Sequence, residues 1–71
     1  MATLTARELQ VLSLMAQGRT NGGMSRHLHL SESAIEKHIN AIFTKLGLTE
    51  ETTIHRRVAA VVTFLEQMGR M

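Results

Sequence analysis

Apolar residues recur along the chain at spacings of three and four, the period of an amphipathic α-helix. The pattern breaks at short polar or glycine-containing turns, and the four resulting segments predict helices at about 5–17, 21–28, 31–46 and 50–68. No segment alternates apolar and polar residues as a half-buried strand would. The sequence therefore predicts an all-α fold, with one four-helix domain over residues 1–71.

Each predicted helix follows a side chain that can cap its first turn. Thr5 and Glu8 have the spacing of a capping box, in which each side chain binds the other residue's backbone amide. Gly18 and Gly47 suit the left-handed conformation that commonly ends a helix. Two of the starts have competing candidates, and the caps in chain order are Thr5, Thr20 or Asn21, Ser31, and Thr49 or Thr53.

The apolar stripes predict the core. Apolar residues cover more of the surface of the fourth helix than one packing face requires, because Ala60 and Phe64 lie outside its main apolar stripe. The expected core residues are Leu9, Val11, Leu12, Met15 and Ala16 in the first helix, Met24 and Leu28 in the second, Ile35, Ile39, Ile42, Phe43 and Leu46 in the third, and Ile54, Val58, Val61, Leu65 and Met68 in the fourth.

The second and third segments, separated by a very short turn, have the layout of a helix-turn-helix. The major groove of B-DNA is about 12 Å wide and admits one α-helix if its outer side chains are slim. Lys37 and Asn40 are the side chains of that face long enough to reach base edges or phosphates. A solvated helix surface is the alternative interpretation. The other residues of this slim face are Ser33, Ala34, Ala41 and Thr44.

Cationic and polar groups border the predicted groove-binding helix, where phosphates would run. Two glutamates near its start, Glu32 and Glu36, would repel phosphate. Glu32 suits the positive end of the helix dipole, whereas Glu36 either accepts a hydrogen bond from a cytosine amino group or pairs with Asn40. The expected backbone contacts are Arg19, Asn21, Arg26, Ser31, His38 and Lys45.

Composition excludes several other classes. The chain has no cysteine, which excludes disulfide and thiol chemistry, and only two aromatic residues, both phenylalanine, which argues against a base-stacking platform. Its net charge of +2 neither requires nor forbids a polyanionic partner. No residues have the layout of a membrane span or a signal peptide. The four histidines have no partners at metal-site or acid–base spacing, so we predict no catalytic residue, metal or cofactor.

Several separated blocks together resemble the LuxR/GerE (NarL/FixJ) DNA-binding domain. They keep that family's order and spacing from about Leu4 to Val62, nearly the whole chain. The later run His55-Arg56-Arg57-Val58 is similar to the ending seen in actinobacterial response regulators of the family. The blocks are Leu4-Thr5-Ala6-Arg7-Glu8, Gly18-Arg19-Thr20-Asn21, Leu30-Ser31-Glu32, Ile35-Glu36-Lys37-His38 and Lys45-Leu46-Gly47-Leu48.

The resemblance implies sequence-specific binding of double-stranded DNA by a cytoplasmic bacterial transcription regulator. The family's base-reading positions are occupied here by Glu36, Lys37 and Asn40, to which Ser33 and Thr44 are added from the slim face. The lysine before Leu-Gly, which commonly serves the DNA backbone, is Lys45. The family's fourth helix makes a homodimer contact, which implies an interface containing Arg57, Ala60 and Phe64. Members carry an amino-terminal receiver or sensor domain, so we expect this chain to be a fragment or a stand-alone effector domain.

The chain departs from the family pattern in two places. Ala34-Ile35-Glu36 stands where the family commonly has Thr-Val-Lys, and Gly22-Gly23-Met24-Ser25 stands where it has Lys-Glu-Ile-Ala. The first departure removes a phosphate-binding hydroxyl and a base-reading cation. A small all-α protein-interaction module, docking through the apolar face of the fourth helix, is the alternative function.

Overall fold

Four α-helices make up the computed structural model, which describes residues 3–48 and 53–69, with the side chains of the last helix described from residue 55. They are α1 (Ala6–Ala16), α2 (Asn21–Leu28), α3 (Glu32–Lys45) and α4 (Thr53–Met68). No strand occurs within the described ranges. The all-α prediction is confirmed, and the seven predicted helix boundaries that fall within the described residues agree with the observed ones to within one residue. Thr49 and the predicted start of the fourth helix at residue 50 lie outside the described residues.

Side-chain caps start the first three helices. Thr5 and Glu8 form the predicted capping box: the Glu8 amide donates to Thr5 Oγ1 at 3.1 Å, and the Thr5 amide donates to Glu8 Oε1 at 2.9 Å. Thr20 caps α2 by accepting from the Gly23 amide at 3.0 Å, which decides between the two candidates there. Ser31 caps α3 in the same way. These bonds satisfy amides that a helix leaves without internal partners.

The same closing turn ends α1, α2 and α3. In α1 and α3 a glycine with positive φ follows the last turn, Gly18 at 83° and Gly47 at 72°, as predicted. The amide of the next residue then reaches back to the carbonyl five positions earlier, which is the long bond of a Schellman motif. At the end of α2 the left-handed position is occupied by His29, at φ 56°, although this conformation is costly for a residue with a Cβ.

The core lies between α1, α3 and α4, with Met24 of α2 covering one side. The predicted α3 stripe is confirmed, because Ile35, Ile39, Ile42 and Phe43 are all buried. In α1 the prediction of Leu9 is wrong: Leu9 is exposed. The buried apolar residues of α1 are Val11, Leu12, Leu14 and Met15. The buried arc is rotated from the predicted stripe, away from Leu9 and toward Leu14, because α1 packs against both α3 and α4.

The core face of α4 is only partly the predicted one: Val61 was expected there, whereas Ala60 and Phe64 were not. The side chain of Ile54, also expected in the core, lies outside the described residues. Ala60 is fully buried, and Val61 and Phe64 pack against the core. Three predicted core residues are exposed, as is a valine beside them: Val58 by 58%, Val62 by 47%, Leu65 by 52% and Met68 by 53%. The helix has two apolar arcs, and the one containing a small residue packs against α1 and α3.

An ion pair joins the start of α1 to the end of α3. Lys45 Nζ donates to Glu8 Oε1 at 2.7 Å, with the Glu8 side chain 7% and the Lys45 side chain 36% exposed. The Lys45 ammonium and the Thr5 amide hold the pKa of the Glu8 carboxyl below its ordinary value, against the opposing effect of burial. Glu8 therefore links the cap of α1 to α3.

Replacing Lys45 by methionine should destabilise the domain at neutral pH by about 1–2 kcal/mol, because a buried carboxylate loses its charged donor while solvent screens part of the loss. Glu8 has a lowered pKa in the folded state, so the pair stabilises the domain fully above the ordinary value of 4.5 and ceases to do so as pH falls through the lowered value. Urea unfolding at pH 7 and about pH 3 measures both effects. Lys37→Met is the control for charge, and an equal loss at both pH values contradicts the assignment.

Replacing His29 by glycine should raise the free energy of unfolding by about 0.5–1 kcal/mol, because glycine adopts the left-handed conformation without the Cβ penalty. The reverse change, Gly18→Ala or Gly47→Ala, should lower it by a similar amount, since both glycines have positive φ. Thermal or urea unfolding of the three variants measures the difference. A destabilised His29→Gly protein would show that the histidine side chain makes an interaction stronger than the strain.

Candidate nucleic-acid interface

Helix α3 has one face in the core and the opposite face in solvent. All five residues predicted to contact bases are exposed, and they recur along the helix at spacings of three and four: Ser33, Glu36, Lys37, Asn40 and Thr44. Ala34 and Ala41, which flank this face, are half-buried and add little bulk. The core stripe and the two caps of α3 fix which way this face points. The structure thus brings the predicted base-contacting residues onto one slim exposed surface.

Three of the predicted backbone contacts are exposed, each on a different part of the fold. Arg19 lies in the α1–α2 turn, Arg26 on α2, and Ser31 at the N-cap of α3. A Cβ placed on Gly22 would lie 3.5 Å from Arg26 Nη1 and 3.8 Å from Glu32 Oε1. Side chains from α2 and α3 therefore meet above this glycine. Two further predicted contacts, His38 on α3 and Asn21 at the first residue of α2, are half-buried.

The surroundings of Lys45 differ from those expected for a residue that contacts the DNA backbone. Its ammonium is paired with the buried Glu8 carboxylate, so its charge is already compensated inside the protein. The structure gives this lysine a role in joining α1 to α3. Sequence reasoning did not find this partner because Glu8 and Lys45 are 37 positions apart.

A polar cleft of about 220 Å³ opens between α2, α3 and α4. Arg57 Nη1 donates to Asn21 Oδ1 at 2.9 Å, which connects α4 to the first residue of α2. The Arg56 guanidinium lies over the Phe43 ring, 4.9 Å from its centroid. Glu36 and Asn40 of the exposed α3 face also line the cleft. The sequence shows that the two arginines are neighbours in the chain. It does not indicate that they lie beside α3 in the fold.

The residues expected in a dimer interface are only partly available to a partner. Ala60 is fully buried in its own chain, so its prediction is wrong: close packing of α4 leaves no surface there. Phe64 is half-buried against the core. Arg57 is half-buried and bonded to Asn21. The exposed apolar residues of α4 lie instead on the opposite arc of the helix, at Val58, Val62, Leu65 and Met68.

Two other features, a metal site and a membrane-spanning helix, are absent from the described residues. No group of three or more His, Cys, Asp or Glu side chains in residues 3–48 and 53–69 is arranged to hold a metal ion. Among the same residues, no helix has the length and apolar character needed to cross a bilayer.

Comparison with known proteins gives a consistent result. The model of the family "GerE: Bacterial regulatory proteins, luxR family" matches residues 2–62. The chain is 38% identical over 68 residues to the nitrate/nitrite response regulator protein NarP of Escherichia coli, covering 96% of this chain and 29% of that protein. It is 36% identical over 50 residues to the transcriptional regulatory protein LiaR of Bacillus subtilis, covering 70% of this chain and 24% of that protein.

The chain therefore spans less than a third of the length of these curated relatives. No solved structure matches it. The family match covers most of the chain, and the four helices observed agree with the fold that the resemblance implies. The chain belongs to the luxR family of bacterial regulatory proteins, transcription regulators whose shared unit is a DNA-binding helix-turn-helix domain.

Proposed function

We propose that this domain performs the DNA binding of its family by placing α3 in the major groove, where it recognises a specific sequence without catalysing a reaction. The observation that carries the proposal is the division of α3 into a buried apolar face and a slim exposed face with Lys37 and Asn40 at its centre. Asparagine can pair bidentately with adenine, and lysine can donate to guanine acceptors. Ser33, Glu36 and Thr44 extend the same contact along the helix.

Polar groups on α3 and on the elements next to it, some exposed and some half-buried, supply the backbone contacts. Arg19 and Arg26 carry charge for phosphates, and Ser31 and His38 add hydrogen-bonding groups at the start and on the flank of α3. Such contacts set the register of a helix in the groove and carry no sequence information themselves. Asn21 joins this set at the first residue of α2. Because Lys45 is paired with Glu8, we give it a supporting role in the position of α3.

Two copies of the domain bind DNA together through α4. The support is the exposed apolar stripe formed by Val58, Val62 and Leu65, which lies beside an apolar groove between the end of α1 and α4. A surface of this kind on a small domain is typical of an interaction site. A two-fold contact uses the same patch on both copies, and it would present two α3 helices to a two-fold-symmetric DNA site.

The regulator that contains this domain is proposed to act in the bacterial cytoplasm and to carry an additional receiver or sensor domain on its amino-terminal side. The support is the length of the relatives, which are named as response regulator and transcriptional regulatory proteins and extend well beyond the matched region. That domain would control the pairing of α4, and through it the affinity for DNA.

Selection of bound duplexes from a random pool should return a motif with two related half-sites. On the selected duplex, Lys37→Ala and Asn40→Ala should each lower discrimination against a scrambled duplex by about 1–3 kcal/mol, because each removes a contact to a base edge. Gln10→Ala, an exposed change on α1, is the control. Full discrimination by both α3 variants would contradict the groove assignment.

The alternative, a protein-interaction module, differs in its response to salt. DNA binding through Z phosphates weakens with a log–log slope of about −0.9Z, whereas an apolar interface responds little. If the selection returns no motif and the affinity for duplex is flat in salt, the interaction module is the better description.

Val62→Glu and Leu65→Glu should weaken pairing of two domains on DNA at least tenfold and leave the melting temperature nearly unchanged, because both side chains are exposed in the single chain. A buried charge in an apolar interface is costly unless it is paired. Cooperativity of binding to one and to two half-sites measures the effect. Gln10→Glu adds the same charge on α1 as a control, and unchanged cooperativity in the α4 variants would remove this stripe from the interface.

A further inference from the structure

We infer that the polar cleft between α2, α3 and α4 is a binding site for a DNA phosphate, and that Arg56 and Arg57 are phosphate-contacting residues of the domain. The inference rests on the proposed function and adds to it a second group of backbone contacts, contributed by α4. Neither arginine belongs to the contacts derived from the helix-turn-helix itself.

The position of the cleft supports this assignment. Its wall is shared with the exposed face of α3, because Asn40 and Glu36 belong to both. A helix lying in the major groove has a phosphate backbone along each side of it. An opening on the flank of α3 at the level of Asn40 therefore faces one of these backbones when the helix is in the groove.

The chemistry of the cleft suits a phosphodiester. Arginine presents a planar fork of N–H donors that matches phosphate oxygens and can bind them bidentately. Asn21 Oδ1 accepts one N–H of Arg57 at 2.9 Å, which holds one edge of the fork and leaves other donors for a ligand. The Arg56 guanidinium is held over the Phe43 ring. Both side chains are thus positioned before a ligand arrives, which lowers the entropy cost of binding.

The charge of the lining also fits. Two arginines and one glutamate, Glu36, give a formal charge of +1, which one phosphodiester group neutralises. The two larger grooves of the domain, beside α1 and α4, are lined mainly by apolar side chains, although Arg57 also lines one of them together with Arg19. Among these three concave surfaces, the cleft is the one that places arginine donors beside the exposed face of α3.

The test is the salt dependence of binding to the selected duplex and to an unrelated duplex. Arg57→Gln and Arg56→Gln should each make the slope of log affinity against log salt concentration shallower by about 0.9. Between 50 and 200 mM salt, the loss of affinity of each variant should therefore be about 3.5-fold smaller than that of the unchanged domain. The reduction should be the same on both duplexes, because a phosphate contact is independent of sequence. Arg57→Lys keeps the charge and should keep the slope.

Two controls separate this role from a structural one. Asn21→Ala breaks the same hydrogen bond as Arg57→Gln and removes a neutral backbone contact, so it should lower the affinity but leave the salt slope unchanged, because the slope depends on charge. Arg7→Gln removes one charge from an exposed position on α1 that does not line the cleft, and it should also leave the slope unchanged. Melting temperatures show that each variant is folded.

The outcomes distinguish the inference from the function on which it rests. If the unchanged domain binds duplex with a steep salt slope and both cleft variants keep that slope, the cleft holds no phosphate and the inference is overturned. It is overturned as well if Asn21→Ala lowers the slope as much as Arg57→Gln does. If the unchanged domain shows no salt-dependent binding to any duplex, the proposed function itself fails.

Discussion

The burial of the α3 apolar stripe against α1 is the constraint on which the rest of the structure depends. Ile35, Ile39 and Ile42 are held in the core, so rotation of α3 about its axis would expose several large apolar side chains at once. The exposed face is fixed as a consequence, and with it the direction of Lys37 and Asn40. The Glu8–Lys45 pair fixes the far end of the same helix against the start of α1. In the proposed complex, recognition of DNA therefore depends on core residues that do not contact it.

Local features of the chain could be predicted well from the sequence. The capping box at Thr5, the N-cap at Ser31 and the left-handed glycines Gly18 and Gly47 involve residues within a few positions of one another, so their geometry follows from residue type and spacing. The α3 stripe could be predicted for the same reason, since it is one continuous arc with polar residues opposite. The exposed α3 face followed directly from it.

Features that depend on packing between distant segments could not be predicted. Helix α4 has two apolar arcs, and the pattern favours the arc with the larger side chains, whereas the fold buries the arc containing Ala60. The sequence alone indicates surface cations at Lys45 and Arg57, because their partners, Glu8 and Asn21, lie 37 and 36 positions away. Charge and hydrophobicity identify what a side chain can do, but only the tertiary arrangement determines what it meets.

The two-sided character of α4 has a thermodynamic consequence. One arc of this helix is part of the domain's own core, and the other presents Val58, Val62 and Leu65 to the outside. A ligand that binds only the folded state shifts the folding equilibrium by mass action. Whatever covers the outer arc therefore also holds the inner arc in place, so association and folding are linked through a single element. A domain of this size, with a small interior, gains resistance to unfolding whenever that surface is occupied.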